Sequence, residues 1–249
     1  MLIEQTLDKL ATLRLKGMVE AFRQWARSPS RSETAPEDLL GMLADAEWTS
    51  RENRKLTRRL QGARFREPAC IEDIDYAHPR GLKKATIMDL ASSRWIADHR
   101  CVIITGLTGV GKTYLACALG NKACRDGYGT LYFRAPRLFD DLARAQADGT
   151  IGTLFTRLAK TPLLILDDFG TEPLDKGARR NLRELMEDRY GLSTTLITSQ
   201  LDPKDWHAVI GDETIADAIC DRVVHGAVCI KLTGESLRKH PIASSKRDR

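Results

Sequence analysis

No apolar run in the 249-residue sequence approaches the ~20 residues needed to cross a bilayer. The opening Met1-Leu2-Ile3-Glu4-Gln5 lacks the charged and apolar regions of a secretory signal. A cytoplasmic protein with no membrane attachment is therefore expected. Cys70, Cys101, Cys117, Cys124, Cys220 and Cys229 include no C-x-x-C pair, which argues against a zinc site. Cys101 and Cys229 fall in strand-like apolar runs and Cys117 in a helix-like one, so these three read as small buried hydrophobes in a reducing compartment. Apolar residues at 42% and charged residues at 29% are ordinary for a soluble globular chain of this length.

Charge is present but unevenly spread. Residues 51–66 hold seven basic side chains against Glu52, and residues 238–249 hold five against Asp248. The whole chain carries only +5, so the remainder is net acidic. Basic charge confined to two short segments suits a polyanion such as nucleic acid.

Hydrophobic spacing divides the chain. Leu15, Met18, Val19 and Phe22 follow the helical rule, and Ile3, Leu7 and Leu10 extend the stripe, predicting a helix over 2–27. A loop at 28–32 precedes a second helix from Pro36 towards residue 62. Residues 71–82 read as a linker and 83–97 as a further helix. Short apolar runs then recur at 101–105, 130–134, 163–167, 194–198 and 227–232. Helical patterns at 112–126, 136–147, 175–190 and 213–224 separate them. This alternation predicts an α/β fold with a mostly parallel sheet covered on both faces. The expected domains are a helical one at 1–70 and an α/β one at 83–249.

Gly106-Leu107-Thr108-Gly109-Val110-Gly111-Lys112-Thr113 fits the G-x-x-x-x-G-K-[ST] phosphate loop. Glycines let successive main-chain N–H groups point at phosphates, and Lys112 adds a charge near the β and γ groups. The Thr113 hydroxyl can ligate Mg2+, and the following helix, through Tyr114, presents its positive end to the same anion. A chance match in a chain of this length is on the order of 1%, and the position between a strand-like and a helix-like run lowers it further. Leu163-Leu164-Ile165-Leu166 ends in Asp167 and Asp168, where open α/β sheets place their ligands. Asp167 is the candidate for holding the metal, and Asp168 for orienting or deprotonating the attacking water. The Asn-Lys-x-Asp pattern that reads guanine is absent, which favours ATP over GTP.

With these motifs, the chain resembles the IstB-type transposition helper ATPases, in the DnaC-like helicase-loader branch of the AAA+ superfamily. The phosphate loop, Leu163–Gly170, Thr198-Ser199-Gln200 and the segment Glu47-Trp48-Thr49-Ser50-Arg51-Glu52-Asn53-Arg54 carry the resemblance. It implies a P-loop NTPase sheet of order 5-1-4-3-2, ATP with Mg2+, and a homo-oligomer with ATP sites at subunit interfaces. It also implies assembly on duplex DNA beside the transposase of the same element. Thr198 and Gln200 match the first sensor region, Arg222 the arginine finger that reaches a neighbour's ATP, and Arg238 the second sensor. Two departures stand out. The acid pair is Asp-Asp where many AAA+ members have Asp-Glu, implying slower hydrolysis. Only 17 residues follow Leu232, too few for the usual helical lid.

Arg51, Arg54, Lys55, Arg58 and Arg59 share one face of the second helix, and Arg64 extends the charge. Among residues 51–66 only Glu52 offsets this row, so phosphate contacts with duplex DNA are expected from it. A solvated charged face is the ordinary alternative. Trp48, at the start of the row, could stack on a base, but packing at the edge of an apolar face is the commoner role and is expected. Two further functions stay open at this point: a helicase loader of the DnaC type, and a nucleotide-dependent DNA scaffold with negligible turnover.

Overall fold

The structure is a computed structural model and describes residues 3–237. The chain forms two compact units, Met1–Arg58 and Arg59–Arg249.

In the first unit, α1 (Ile3–Thr12) and α2 (Lys16–Arg27) replace the single helix expected over 2–27. The break is a helix-terminating turn. Arg14 adopts φ 59°, its N–H donates to Ala11 O at 2.9 Å, and Leu15 N–H donates to Leu10 O at 2.9 Å. These crossed bonds satisfy the last carbonyls of α1 and stop it without glycine. Helix α3 (Pro36–Ala63) begins at the proline, which tolerates a first-turn position because its missing N–H has no partner there. Glu47 of α3 closes the start of α2, accepting from Gly17 N–H at 2.7 Å and Met18 N–H at 3.3 Å. A Cβ on Gly17 would lie 2.4 Å from Ala46 O, so only glycine lets α2 approach the α3 backbone this closely. Trp48, expected to pack, is 70% exposed.

The second unit contains α4 (Lys84–Leu90), α5 (Arg94–Ala97), β1 (Val102–Thr105), α6 (Lys112–Arg125), β2 (Thr130–Arg134), α7 (Ala135–Ala147) and α8 (Ile151–Lys160). There follow β3 (Leu163–Phe169), α9 (Lys176–Arg189), β4 (Thr194–Ser199), α10 (Trp206–Ile210), α11 (Glu213–Val224) and β5 (Val228–Lys231). All strand pairs are parallel, in the order β2-β3-β4-β1-β5, which is the expected 5-1-4-3-2 read from the other edge. Leu163 to Leu166 are wholly buried because helices cover both faces of β3.

Several details differ from expectation. The helix expected over 83–97 is two short ones, interrupted where Ser93 takes φ 57°. Helix α8 was not expected, although Ile151, Leu154, Phe155 and Leu158 follow the helical spacing, and α10 is too short to show a period. The presumed linker 71–82 contributes Ile71, Ile74 and Arg80 to the buried interior, and the division between units falls within α3. Cys117 is buried as expected, and burial pushes its thiol up to about 11. Cys229 is exposed because β5 is an edge strand with alternate side chains facing outward, and Cys101, just before β1, is only partly buried.

Arg189 is a further departure from the usual behaviour of a charged helix residue. It is 1% exposed, and its guanidinium donates to Thr195 Oγ1, Leu158 O, Thr161 O and Thr194 O. Full hydrogen bonding is what makes such burial tolerable.

Candidate functional site

The site grows from the end of β1. Gly106 N–H donates to Ser199 O at 3.2 Å, joining the phosphate loop to the end of β4. Gly106 has φ 148°, and a Cβ there would lie 2.4 Å from Leu232 O. Gly111, at φ 95°, passes Arg80 so closely that a Cβ would meet its guanidinium at 2.5 Å. Val110 turns its side chain into the core, whereas Leu107 is exposed, so these two serve the loop through their backbone. Lys112 opens α6, is 7% exposed, and donates to Gly106 O at 2.7 Å and Leu107 O at 2.9 Å. Burial lowers the pKa of its ammonium, against the pull of Asp168 and Asp167. Among the described residues no acid claims the lysine directly, and the loop stands open beside a cavity of about 590 Å³. That volume falls within the several hundred Å³ usual for a small-molecule site. Thr108, Gly109, Gly111, Lys112, Thr113 and Tyr114 all line it, as do Asp168 and Gln200.

Two segments far apart in sequence hold the loop from behind. Arg80, 2% exposed, donates from one terminal nitrogen to Val110 O at 3.1 Å and from the other to Asp75 O at 2.9 Å. Leu237 N–H donates to Gly109 O at 3.0 Å. Sequence reading missed Arg80, since an isolated arginine in a presumed linker carries no periodic or motif signal.

The adjacent acids live in different surroundings. Asp167 is fully buried and accepts three hydroxyls: Thr113 at 3.0 and 3.1 Å, Tyr132 at 2.6 Å and Thr198 at 2.5 Å. Burial, then the bond to Asp167, pushes the Tyr132 phenol upward, so it remains a proton donor. Asp168 turns to φ 58°, and its N–H donates to Thr198 Oγ1 at 3.1 Å. Its Oδ2 lies 3.2 Å from Arg134 Nε and 3.5 Å from Arg66. Thr198 thus touches both acids, while Gln200 faces the cavity. The hydroxyl and carboxylate oxygens of Thr113 and Asp167 form a hard donor set beside the cavity. Such a set fits Mg2+, which binds through one or two protein oxygens and retains several waters. Tyr132 and Arg134 were not singled out in the sequence, because they sit on a neighbouring strand outside either motif.

Residues 8–245 match the IstB-like ATP binding protein family. The chain belongs to this family. It is similar to a putative insertion sequence ATP-binding protein of Sinorhizobium fredii, 49% identical over 96% of this chain and 98% of that one. It is also 42% identical to the IS1162 putative ATP-binding protein of Pseudomonas fluorescens, over 81% and 87% of the two chains. Among solved structures, DnaI matches with a TM-score of 0.58 at 23% identity, covering 71% of this chain and 94% of that one. AMPPCP-bound DnaA from Aquifex aeolicus matches with a TM-score of 0.57 at 19% identity, over 68% and 51% of the two chains. These likenesses show an AAA+ P-loop fold.

Other expected residues of this IstB-like chain lie elsewhere. Arg222, in the last turn of α11, donates to Ala218 O at 2.8 Å and meets Glu187 at 3.2 Å. It borders a hollow with Cys101 and Thr195, at the starts of the strands, opposite the phosphate loop. Arg238 lies outside the described residues.

The basic row is less free than expected. Glu47, one turn before it, accepts from Arg51 Nε at 2.7 Å and meets Arg54 at 3.4 Å. Glu52 pairs with Lys55 at 2.7 Å. Arg59 donates to Cys124 O at 3.5 Å. Arg58 and Arg64 are exposed. Glu47 was not counted as a counter-charge because it lies outside residues 51–66, although it stands four residues before Arg51 on the same helix.

Proposed function

We propose that this chain is an ATP-hydrolysing, DNA-binding helper of transposition. It assembles on duplex DNA with ATP, presents that DNA to the transposase of the same element, and comes apart after hydrolysis. The observation that carries the reading is the convergence of an open phosphate loop, the Thr113–Asp167 pair and Asp168 on one cavity. Membership in a family of insertion sequence ATP-binding proteins supplies the biological setting.

In this reading, the main-chain N–H groups of residues 106–113 and the start of α6 cradle the phosphates. Lys112 exchanges its two carbonyl partners for β- and γ-phosphate oxygens. Thr113 and Asp167 would hold Mg2+, which supplies charge neutralisation on the phosphates. Asp168 orients the attacking water and receives its proton. Thr198 keeps the two acids in register, and Gln200 contacts the γ-phosphate or the water. Arg222 cannot reach its own chain's cavity from the far end of the sheet, which supports a role towards a neighbour's nucleotide. There a guanidinium would stabilise charge on the transferring phosphoryl group. Arg58 and Arg64 are the freest contributors to DNA phosphate contacts, with Arg51, Arg54, Lys55 and Arg59 joining if they leave their present partners.

Mass photometry with ATP and duplex DNA, separately and together, tests the reading. Large complexes that require both are expected. A monomer under every condition would remove assembly from the proposal.

A further inference from the structure

Asp168 is engaged from two directions. Arg134 comes from the end of β2, the strand beside β3, where it pairs in register with Asp167. Arg66 comes from the turn that follows α3, and nothing in the phosphate loop or the acid motif requires it there. Its backbone is firmly seated. Arg64 ends the helix at φ 57°, and Phe65 packs on α6 where a Cβ at Gly120 would lie 2.5 Å from its ring. The Arg66 and Glu67 amides are directed at the buried Cys117 sulfur. From this anchored turn the Arg66 side chain enters the nucleotide cavity and meets the same Asp168 oxygen that Arg134 holds.

In that arrangement Oδ2 of Asp168 faces two guanidinium groups, which fix the direction in which the carboxylate points. The Arg66 side chain is 42% exposed and its separation from Asp168 is 3.5 Å. A pair this exposed is weak and readily exchanged for a phosphate. Helix α3 carries the row from Arg51 to Arg59 without a break and ends at Ala63, three residues before Arg66. A polyanion drawn to the exposed Arg64 therefore acts two residues from Arg66, at the helix end that aims it.

We infer that Arg66 is a positioning residue that restrains Asp168 in cis and relaxes its hold when DNA engages the end of α3. The inference rests on the reading of Asp168 as the residue that activates water. It makes DNA stimulation a property of one chain, separate from any contribution of a neighbouring subunit.

The test measures ATP turnover with and without duplex DNA, and the affinity for a fluorescent ATP analogue, in Arg66→Ala and Arg66→Lys. Arg66→Ala should turn over several-fold faster without DNA, bind the analogue unchanged, and show a stimulation ratio falling towards one. Arg66→Lys keeps the charge and should stay near wild type. Weaker analogue binding with slower turnover in Arg66→Ala would overturn the inference, since it would make Arg66 a phosphate contact. Unchanged rates and ratio would overturn it equally. Asp168→Asn separates this from the site reading: if that variant hydrolyses ATP like wild type, Asp168 itself has been misread, whatever Arg66 does.

Discussion

The phosphate loop and the basic row on α3 both concentrate positive character in a short segment, yet they hold it differently. In the loop, the charge is one nearly buried lysine that, among the described residues, bonds only to carbonyls of the same loop. Those partners are neutral, so an incoming phosphate replaces them at little electrostatic cost. In the row, long arginines stand on a solvent face and several already meet carboxylates, Glu47 above all. The lesson is that a row of like charges overstates a binding surface unless the acids it folds against are also counted.

Four variants would break or sharpen this contrast. Lys112→Ala should cost at least about 100-fold in ATP affinity, the scale of losing hydrogen bonds from a charged group. Equilibrium titration with a fluorescent analogue measures it, and an unaltered affinity would remove the loop from the account. Asp168→Asn should leave that affinity within about twofold while slowing hydrolysis by about 100-fold, in the range for a general base. Wild-type turnover there would strip Asp168 of its role.

Smaller effects belong to the row. Neutralising Arg54, Arg58 and Arg59 together should flatten the salt dependence of duplex binding by about one to two units of slope. That is less than three full phosphate contacts would give, because Arg54 and Arg59 have protein partners. A slope identical to wild type would show that DNA binds elsewhere. Finally, Glu47→Gln should strengthen duplex binding a few-fold by unpairing Arg51 and Arg54, and weaker binding would speak against the row.

Glu47 also predicts a pH effect. Burial pushes its carboxyl up, but Arg51 and the Gly17 and Met18 amides outweigh this and hold it below its ordinary 4.5. Because the folded value is depressed, the stabilisation is present above about pH 4.5 and fades as the pH falls through the folded value. Acid titration followed by circular dichroism should show the first unit losing helix earlier in wild type than in Glu47→Gln, which lacks the titrating group. Coincident transitions would assign acid sensitivity to other carboxylates.

The residues legible in the sequence are those whose task is local. The phosphate loop needs glycines and a lysine at fixed offsets, and the β3 run needs continuous apolar residues ending in acids. Strand and helix spacing then led to the parallel sheet, whereas its strand order came from the family resemblance. Arg134, Arg66 and Arg80 were not legible, because each lines the cavity from a segment that carries no motif of its own, nor was Tyr132, which reaches Asp167 from a neighbouring strand. Arg14 illustrates the same limit at the level of elements. An arginine closing α1 in a left-handed conformation has no compositional mark, so 2–27 read as one helix.

By itself the sequence determined the nucleotide chemistry and the alternating architecture, since both follow from short-range spacing that the backbone geometry enforces. Only the tertiary structure decided how that chemistry is governed. It set Asp167 among three hydroxyls and Asp168 between two arginines, and it gave the basic row a buried carboxylate. Charges acquire their partners through folding contacts between distant segments, and the strength of each pairing depends on burial that no linear pattern records.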